Sequence, residues 1–103
     1  MTHDDVLALM EAIKAATGCP YAYHHFAEGE SPDPPFLCFL YPDEAEFGAD
    51  NTVYHAFNHL DIEVYTDLKA PELEQKVEAV LSDYELFYHK SEVWIEEEKM
   101  YEV

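Results

Sequence analysis

The sequence contains no arginine, and its five lysines stand against 23 aspartates and glutamates, which gives a formal net charge of −18 at pH 7. Proteins that bind nucleic acid contact the phosphates through clustered lysine and arginine, so tight binding to DNA or RNA is disfavoured. The missing arginines also remove the usual bidentate clamp for phosphoryl substrates. The charge indicates a solvated acidic surface, a cationic partner, a surface that imitates DNA, or a wall past which DNA slides.

Cysteine and glycine are also scarce. Cys19 and Cys38 provide no disulfide framework, and Cys38 lies in an apolar segment where a small buried side chain is expected. The three glycines form no phosphate-binding loop, and Ser31, Ser82 and Ser91 have no Gly-x-Ser-x-Gly context. No apolar run approaches the roughly 18 residues of a membrane span, and the acidic start is unlike a signal peptide. We therefore expect a non-enzymatic protein of the cytoplasm, or of a particle assembled there, without catalytic residues or a cofactor.

The histidines and acids do not form a convincing metal or catalytic motif. His24 and His25 are neighbours that would point apart on a strand, and Cys19 near them lacks a second closely spaced ligand pair. His55 and His59 would lie about 13 Å apart on a strand, too far to share one zinc ion. With 23 acidic residues, some pair will fall at a glycosidase-like spacing by chance. No metal-ligating residue is predicted.

Two helices are predicted from apolar residues that recur at helical spacing. The first covers Asp4 to Thr17, with Thr2 and Asp5 as a capping pair and Gly18 as its stop. Its apolar stripe is Val6, Leu9, Met10 and Ile13. The second helix begins at Pro71, which suits a first turn. Its expected stripe is Leu73, Val77, Val80, Leu81 and Tyr84.

Five segments are predicted as strands, separated by loops at 28–35 and 42–51. The longest, Val53 to Tyr65, alternates between apolar and polar side chains. The predicted strands are 21–26, 36–41, 53–65, 85–90 and 93–103. The chain is thus expected to form one domain over residues 1–103, of α+β class. Two helices would pack on one face of an antiparallel or mixed sheet of about four to five strands, in the order α-β-β-β-α-β-β.

The 15% aromatic content exceeds what so small a core needs. Most of these side chains should be core, and the surplus indicates a protein interface, where tyrosine and phenylalanine are favoured. The candidates for such exposed positions are Tyr23, Phe26, Phe47, Tyr54 and Tyr88.

Several sequence blocks, in order, resemble a known family. Three blocks lie before the second predicted helix: Pro34-Pro35-Phe36-Leu37, Phe47-Gly48-Ala49-Asp50-Asn51-x-Val53-Tyr54 and Glu63-Val64-Tyr65-Thr66-Asp67. A fourth, Pro71-Glu72-Leu73-Glu74, opens that helix. The last two are Ser91-Glu92-Val93-Trp94-Ile95-Glu96 and Lys99-Met100-Tyr101-Glu102-Val103. Together they resemble small tail-completion proteins of long-tailed phages and prophages of Gram-positive bacteria, also described as tail-terminator or head-to-tail joining proteins. The resemblance covers nearly the whole chain, and its motifs are structural.

The resemblance implies a structural virion protein at the junction of neck and tail tube. It would assemble as a homo-oligomeric ring, hexameric in the virion and monomeric alone, that contacts the major tail protein and a neck or head-closure protein. No membrane contact and no tight nucleic-acid binding are expected. The alternative is an acidic inhibitor that imitates DNA and occupies the basic groove of a nuclease or polymerase. The residues predicted for the interface are Phe47, Asp50, Asn51, Tyr54, Trp94, Tyr101 and Val103.

Overall fold

A computed structural model describes residues 2–24, 26, 32–42 and 59–103 of the chain. In these ranges the chain forms two helices and five strands. The elements, in chain order, are α1 (His3–Thr17), β1 (Tyr21–Tyr23), β2 (Phe36–Leu40), β3 (Asp61–Thr66), α2 (Pro71–Asp83), β4 (Val93–Ile95) and β5 (Met100–Glu102).

The five strands form one mixed sheet in the spatial order β1-β2-β3-β5-β4. β1 pairs with β2 in parallel, and the three remaining pairings, β2 with β3, β3 with β5 and β5 with β4, are antiparallel. The predicted α+β class and the order of elements along the chain are both confirmed.

α1 begins and ends at the residues that the sequence indicates. The Thr2 side chain accepts a hydrogen bond from the Asp5 backbone, while the Asp5 side chain accepts one from the Thr2 backbone, which completes a capping box. Gly18 ends the helix with φ of 76°, a left-handed conformation that costs glycine little. All four residues of the predicted apolar stripe are fully buried: Val6, Leu9, Met10 and Ile13.

The core lies between the two helices and one face of the sheet. Leu37 and Phe39 of β2 and Val64 of β3 point to this face, because side chains alternate along a strand and Leu37 lies opposite Val64. They join the α1 stripe and Val77, Val80 and Leu81 of α2 in one apolar cluster. β2 is also buried on its other face, as its continuous apolar run predicts, since Phe36 and Cys38 are 7% and 3% exposed.

Two strand predictions were too long. β1 ends at Tyr23, because His24 adopts a φ of 65° that interrupts an extended backbone. β3 starts only at Asp61, so His59 and Leu60, which were predicted within it, precede it. The predicted alternation holds for the described part, with Ile62 and Val64 packing toward the core. Several predicted positions lie outside the described residues: 25 of the predicted strand 21–26, 28–31 of the loop 28–35, 43–51 of the loop 42–51 and 53–58 of the strand 53–65.

The prediction for the end of the chain was wrong in detail. Residues 85–90 form no strand, and residues 93–103 form a two-stranded hairpin instead of one strand. The hairpin turns at residues 96–99, where Lys99 takes a φ of 55° and the Glu98 N–H donates to the Ile95 carbonyl at 3.3 Å. A Glu-Glu-Glu-Lys sequence carries none of the glycine or asparagine that usually signals such a turn. Tyr84 was also misplaced, since it is 40% exposed and follows α2.

Candidate functional site

The β4–β5 hairpin holds two of the predicted interface residues against each other. Trp94 and Tyr101 are opposite in the strand register, and their ring centroids lie 4.8 Å apart in an edge-to-face arrangement. The Trp94 indole N–H donates to Glu96 Oε2 at 2.6 Å. Edge-to-face pairs of this kind contribute about 0.5–1.5 kcal/mol beyond their buried area. The indole is therefore held in one orientation while remaining 40% exposed.

β4 lies at the end of the strand order, and no strand among the described residues pairs with its outer edge. Val103 exchanges both backbone hydrogen bonds with Val64 of β3, so the backbone groups of Glu102 point the other way, toward Val93 of β4. By the same alternation, the N–H and C=O of Trp94 point away from β5. Within the part of the chain that the structure describes, this backbone edge thus has no strand partner, and it lies beside exposed apolar side chains, since Val93 is 51% exposed.

A buried carboxylate connects this hairpin to α2. Glu74 is only 4% exposed, and its two oxygens lie 2.6 Å from Lys69 Nζ and 2.9 Å from Lys90 Nζ. Lys69 also contacts Glu92, the residue before β4, and Lys90 lies 3.6 Å from Glu78. Although burial favours the neutral acid, the hydrogen bonds from Lys69 and Lys90 hold the pKa of Glu74 below its usual value. The network ties the start of β4 to the first turns of α2.

A second polar cluster joins β3 to β5 on the sheet face opposite the helices. The Tyr65 hydroxyl lies 2.9 Å from Glu63 Oε1 and 2.6 Å from Glu102 Oε2. Burial and the nearby Glu102 charge raise the pKa of Glu63, although its contact with the Tyr65 hydroxyl lowers it. Burial also raises the pKa of the neighbouring Cys38 thiol to about 11, and the negative charges of Glu63 and Glu102 act in the same direction. A thiol with that pKa is a poor nucleophile at neutral pH.

The structure gives the positions of three of the seven predicted interface residues, and their role in an interface stays a prediction. Trp94 and Tyr101 come together, whereas Val103 is half-buried against the core and bonded to β3. The other four, Phe47, Asp50, Asn51 and Tyr54, lie outside the described residues.

The structure describes three of the five aromatic residues that were predicted at exposed positions. Tyr23 and Tyr88 are 36% and 45% exposed, and Phe26 is half-buried with its ring 5.5 Å from that of Phe36. Phe87, which was not predicted, is fully exposed at 104%. Phe47 and Tyr54 lie outside the described residues.

Sequence reasoning missed the Glu74 network. The available signal was a glutamate at helical spacing from Val77 and Leu81, inside an apolar stripe, in a chain with only five lysines. Within the residues that the structure covers, no group of three or more histidine, cysteine or acidic side chains could hold a metal ion. None of the described helices is long and apolar enough to cross a membrane.

Comparison of the chain with protein-family models, with curated proteins and with solved structures gave no match.

Proposed function

We propose that this protein is a structural virion component that assembles as a ring at the junction of neck and tail tube in a long-tailed phage. There it completes the tail and joins it to the head. The sequence blocks that resemble tail-completion proteins support this assignment. The observation that carries it in the fold is the outer edge of β4, which pairs with no strand among the described residues and lies beside the oriented Trp94 side chain.

A ring requires one surface patch to bind a different patch on the next subunit, with a rotation that closes the circle. The β4 edge offers the first patch, because a neighbouring segment can pair with its backbone while packing on Trp94 and Val93. Buried tryptophan and tyrosine dominate the energy of many interfaces. The anchoring of Trp94 by Tyr101 and Glu96 lowers the entropy that association would cost. Six such contacts would close the hexamer that the resemblance implies.

The net charge of −18 supports the same proposal in two ways. Carboxylates that line a central channel would repel DNA, so that the genome passes without binding. The same charge makes subunits repel one another, so the isolated protein is monomeric at low salt and closes into a ring against the tail tube. Its direct partners are then the major tail protein and a neck or head-closure protein, and it acts in the virion after assembly in the host cytoplasm.

The decisive experiment compares Trp94→Ala with the wild-type protein in ring assembly. Tails are assembled with the major tail protein and imaged by electron microscopy, while native mass spectrometry gives the subunit number of the isolated protein at low and high salt. We expect wild-type rings at the tail end, and association of the isolated protein that grows as salt screens the charges. Trp94→Ala should lose ring formation and keep its fold, because Trp94 is 40% exposed.

Phe87→Ala is the matched control, since Phe87 is an equally apolar and even more exposed aromatic residue outside β4. It should form rings as the wild type does. Rings that tolerate Trp94→Ala as well as Phe87→Ala would reject the β4 interface. A neutral or basic lumen, or absence of the protein from purified virions, would reject the proposed function.

A further inference from the structure

Thr66, the last residue of β3, has a buried hydroxyl group that pairs with no other described group. Thr66 is 4% exposed, and its Oγ1 makes no hydrogen bond within the described part of the chain. Its side chain points to the same face of the sheet as that of Val64, toward the helices, because side chains alternate along a strand. Buried hydroxyls are normally hydrogen-bonded, since an unpaired one is unfavourable. This hydroxyl can therefore donate to a bound group.

A cavity of about 640 Å³ adjoins Thr66. It is bounded by the end of α1, at Thr17 and Cys19, and by the consecutive residues 66–73, which lead from β3 into α2. Pro35 and Lys76 also line it. Cavities of about 300–1,000 Å³ hold small molecules or the end of a chain, usually between apolar walls with a few polar groups. Here the apolar wall is formed by Cys19, Pro35, Leu68, Ala70, Pro71 and Leu73.

The start of α2 provides a second donor. Its N-cap residue, Ala70, gives no side-chain cap, and Pro71 has no N–H group. The amides of Leu73 and Glu74 both donate to the Ala70 carbonyl, at 3.1 Å and 3.2 Å. Among the described groups, the N–H of Glu72 has no acceptor in this first turn. The start of a helix carries a partial positive charge, which favours a bound anion.

The charges around the cavity fit an anion with a single charge. Two of the charged lining residues, Asp67 and Glu72, are exposed carboxylates, so solvent screens them. Lys69 is engaged with Glu74 and Glu92, whereas Lys76 takes part in none of the ion pairs among the described residues. Lys76 and the start of α2 can together compensate one negative charge. A dianion such as phosphate would meet two carboxylates and only one such lysine.

We propose that this cavity, the Thr66 cavity, binds a carboxylate that carries an apolar group, as a small carboxylic acid or as the C-terminal residue of another chain. The Thr66 hydroxyl and the Glu72 N–H donate to the carboxylate oxygens, and Lys76 supplies the opposite charge. The apolar group packs against Leu68 and Leu73. The inference goes beyond ring assembly and does not rest on it.

The two donors decide against other ligands. A neutral apolar molecule would leave the Thr66 hydroxyl unpaired, and a cation would face Lys76 and the positive end of α2. A neutral amide could accept the same hydrogen bonds as a carboxylate. Hydrogen bonds to a charged acceptor are roughly twice as strong, however, so the carboxylate is the preferred ligand.

The first test is an NMR titration with isocaproate, a carboxylate on a leucine-like chain. Amide shifts should concentrate at residues 66–76 and 17–19. Isocaproamide, which has the same shape without the charge, should bind at least about tenfold more weakly, and inorganic phosphate should also bind more weakly. Equal binding of isocaproate and its amide, tighter binding of phosphate, or shifts outside the Thr66 cavity would each overturn the proposal.

A second probe distinguishes the two sources of the carboxylate. N-acetyl-alanyl-leucine presents the same group at the end of a peptide, and its C-terminal amide is the control. Tighter binding of the peptide acid than of isocaproate would identify a chain end as the ligand, and the reverse order would identify a small acid. Both orders support the Thr66 cavity as a carboxylate site, whereas failure of both acids to bind would reject it.

Protein variants test the assigned donors. Thr66→Val replaces the hydroxyl by a methyl group, and it should weaken isocaproate binding at least about fivefold. The free Thr66→Val protein should be at least as stable as the wild type, because no described hydrogen bond is lost. Thr66→Ser keeps the hydroxyl and should keep most of the affinity.

Lys76→Met should weaken binding several-fold, whereas Lys99→Met removes the same formal charge from the exposed hairpin turn and should change binding little. Unchanged affinity of Thr66→Val, a loss of stability in that variant, or equal effects of the two lysine variants would each overturn the proposal. Urea unfolding of the free proteins supplies the stability measurement.

Discussion

The two helices of this protein are stabilised by different means. α1 buries an apolar stripe whose four members are each 0% exposed, and side chains cap its start. α2 starts at Pro71, and its N-cap residue, Ala70, provides no side-chain cap. Its buried face includes a carboxylate, Glu74, beside Val77, Val80 and Leu81. Local sequence accounts for α1. α2 depends on partners that lie outside it.

These outside partners are two lysines on either side of α2. Lys69 precedes the helix, and Lys90 lies in the segment that leads to β4. Their pairing with Glu74 couples the helix to the candidate interface, because Lys69 also contacts Glu92 at the start of β4. The comparison teaches that both helices contribute to one apolar core, while charged contacts around Glu74 additionally position α2 and the start of β4.

The largest effect should come from placing a charge where α2 is apolar. Val77 is 5% exposed and packs in the shared core, so Val77→Asp would bury an unpaired carboxylate. We expect a loss of more than about 4 kcal/mol, enough to unfold a protein of ordinary stability. Circular dichroism and urea unfolding measure it. Leu68→Asp is the control, since Leu68 is 75% exposed and should change stability by less than about 0.5 kcal/mol. A folded Val77→Asp protein would contradict the core position of α2.

Removing one lysine of the network should have the next largest effect. Lys90→Met leaves Glu74 with Lys69 alone, and we expect a loss in the free energy of unfolding that is measurable but smaller than that of Val77→Asp, because Lys90 is 41% exposed and solvent screens the pair. Because the pKa of Glu74 is lowered in the folded state, its contribution is present above the ordinary carboxyl pKa and lost as pH falls through the folded value. The cost of Lys90→Met should therefore shrink in acid.

Two further variants serve as comparisons for the stability of Lys90→Met. Lys76→Met removes an exposed lysine of α2 and should be nearly neutral. Glu74→Gln combined with Lys90→Met should be more stable than Lys90→Met alone, because the buried side chain that has lost one of its two lysine partners is then uncharged. Equal stability of Lys90→Met and Lys76→Met would show that the Lys90 contact with Glu74 contributes nothing to the stability of α2.

The same contrast explains how much of the fold the sequence could predict. α1 and β2 were predicted within a residue or so at each end, because Thr2, Asp5 and Gly18 are local signals and the apolar runs are unambiguous. The helix positions of Val77, Val80 and Leu81 were predicted for the same reason. Sequence periodicity reports burial, and in these elements burial decides the structure.

The C-terminal half was predicted less well, because tertiary contacts and not local preferences determine it. Residues 85–90 have a strand-like composition, yet Lys90 pairs with Glu74 and Tyr88 donates to Glu78 instead of joining the sheet. The hairpin turn at 96–99 has no turn-forming residue, so its two short strands looked like one. Of the predicted interface, the pairing of Trp94 with Tyr101 required knowing that this turn exists.

The smallest effect concerns the Glu63–Tyr65–Glu102 cluster, which links β3 to β5. It tests whether this cluster lowers the free energy of unfolding. The single Tyr65 hydroxyl proton can be donated to Glu102 or to Glu63 but not to both, although its oxygen lies within 3 Å of each carboxylate. At neutral pH one carboxylate therefore faces an oxygen without a proton between them. We expect Glu63→Gln, whose amide can donate to the Tyr65 oxygen, to stabilise the fold by a few tenths of a kcal/mol, on the order of one weak hydrogen bond.

The stabilising effect of Glu63→Gln should depend on pH. Burial raises the pKa of Glu63 in the folded state above the ordinary value of 4.5. A carboxyl of this kind contributes stability below its unfolded pKa, and that contribution is lost as pH rises through the folded value. The advantage of Glu63→Gln should thus be greatest near neutral pH and vanish in acid. The cost of Lys90→Met has the same pH dependence, but the two effects on stability have opposite signs. Urea unfolding across the acidic range measures both, with Glu97→Gln as a control for net charge. If Glu63→Gln destabilises the protein at neutral pH, the Glu63–Tyr65–Glu102 contact is a net source of stability, and both polar clusters of the C-terminal half then act in the same direction.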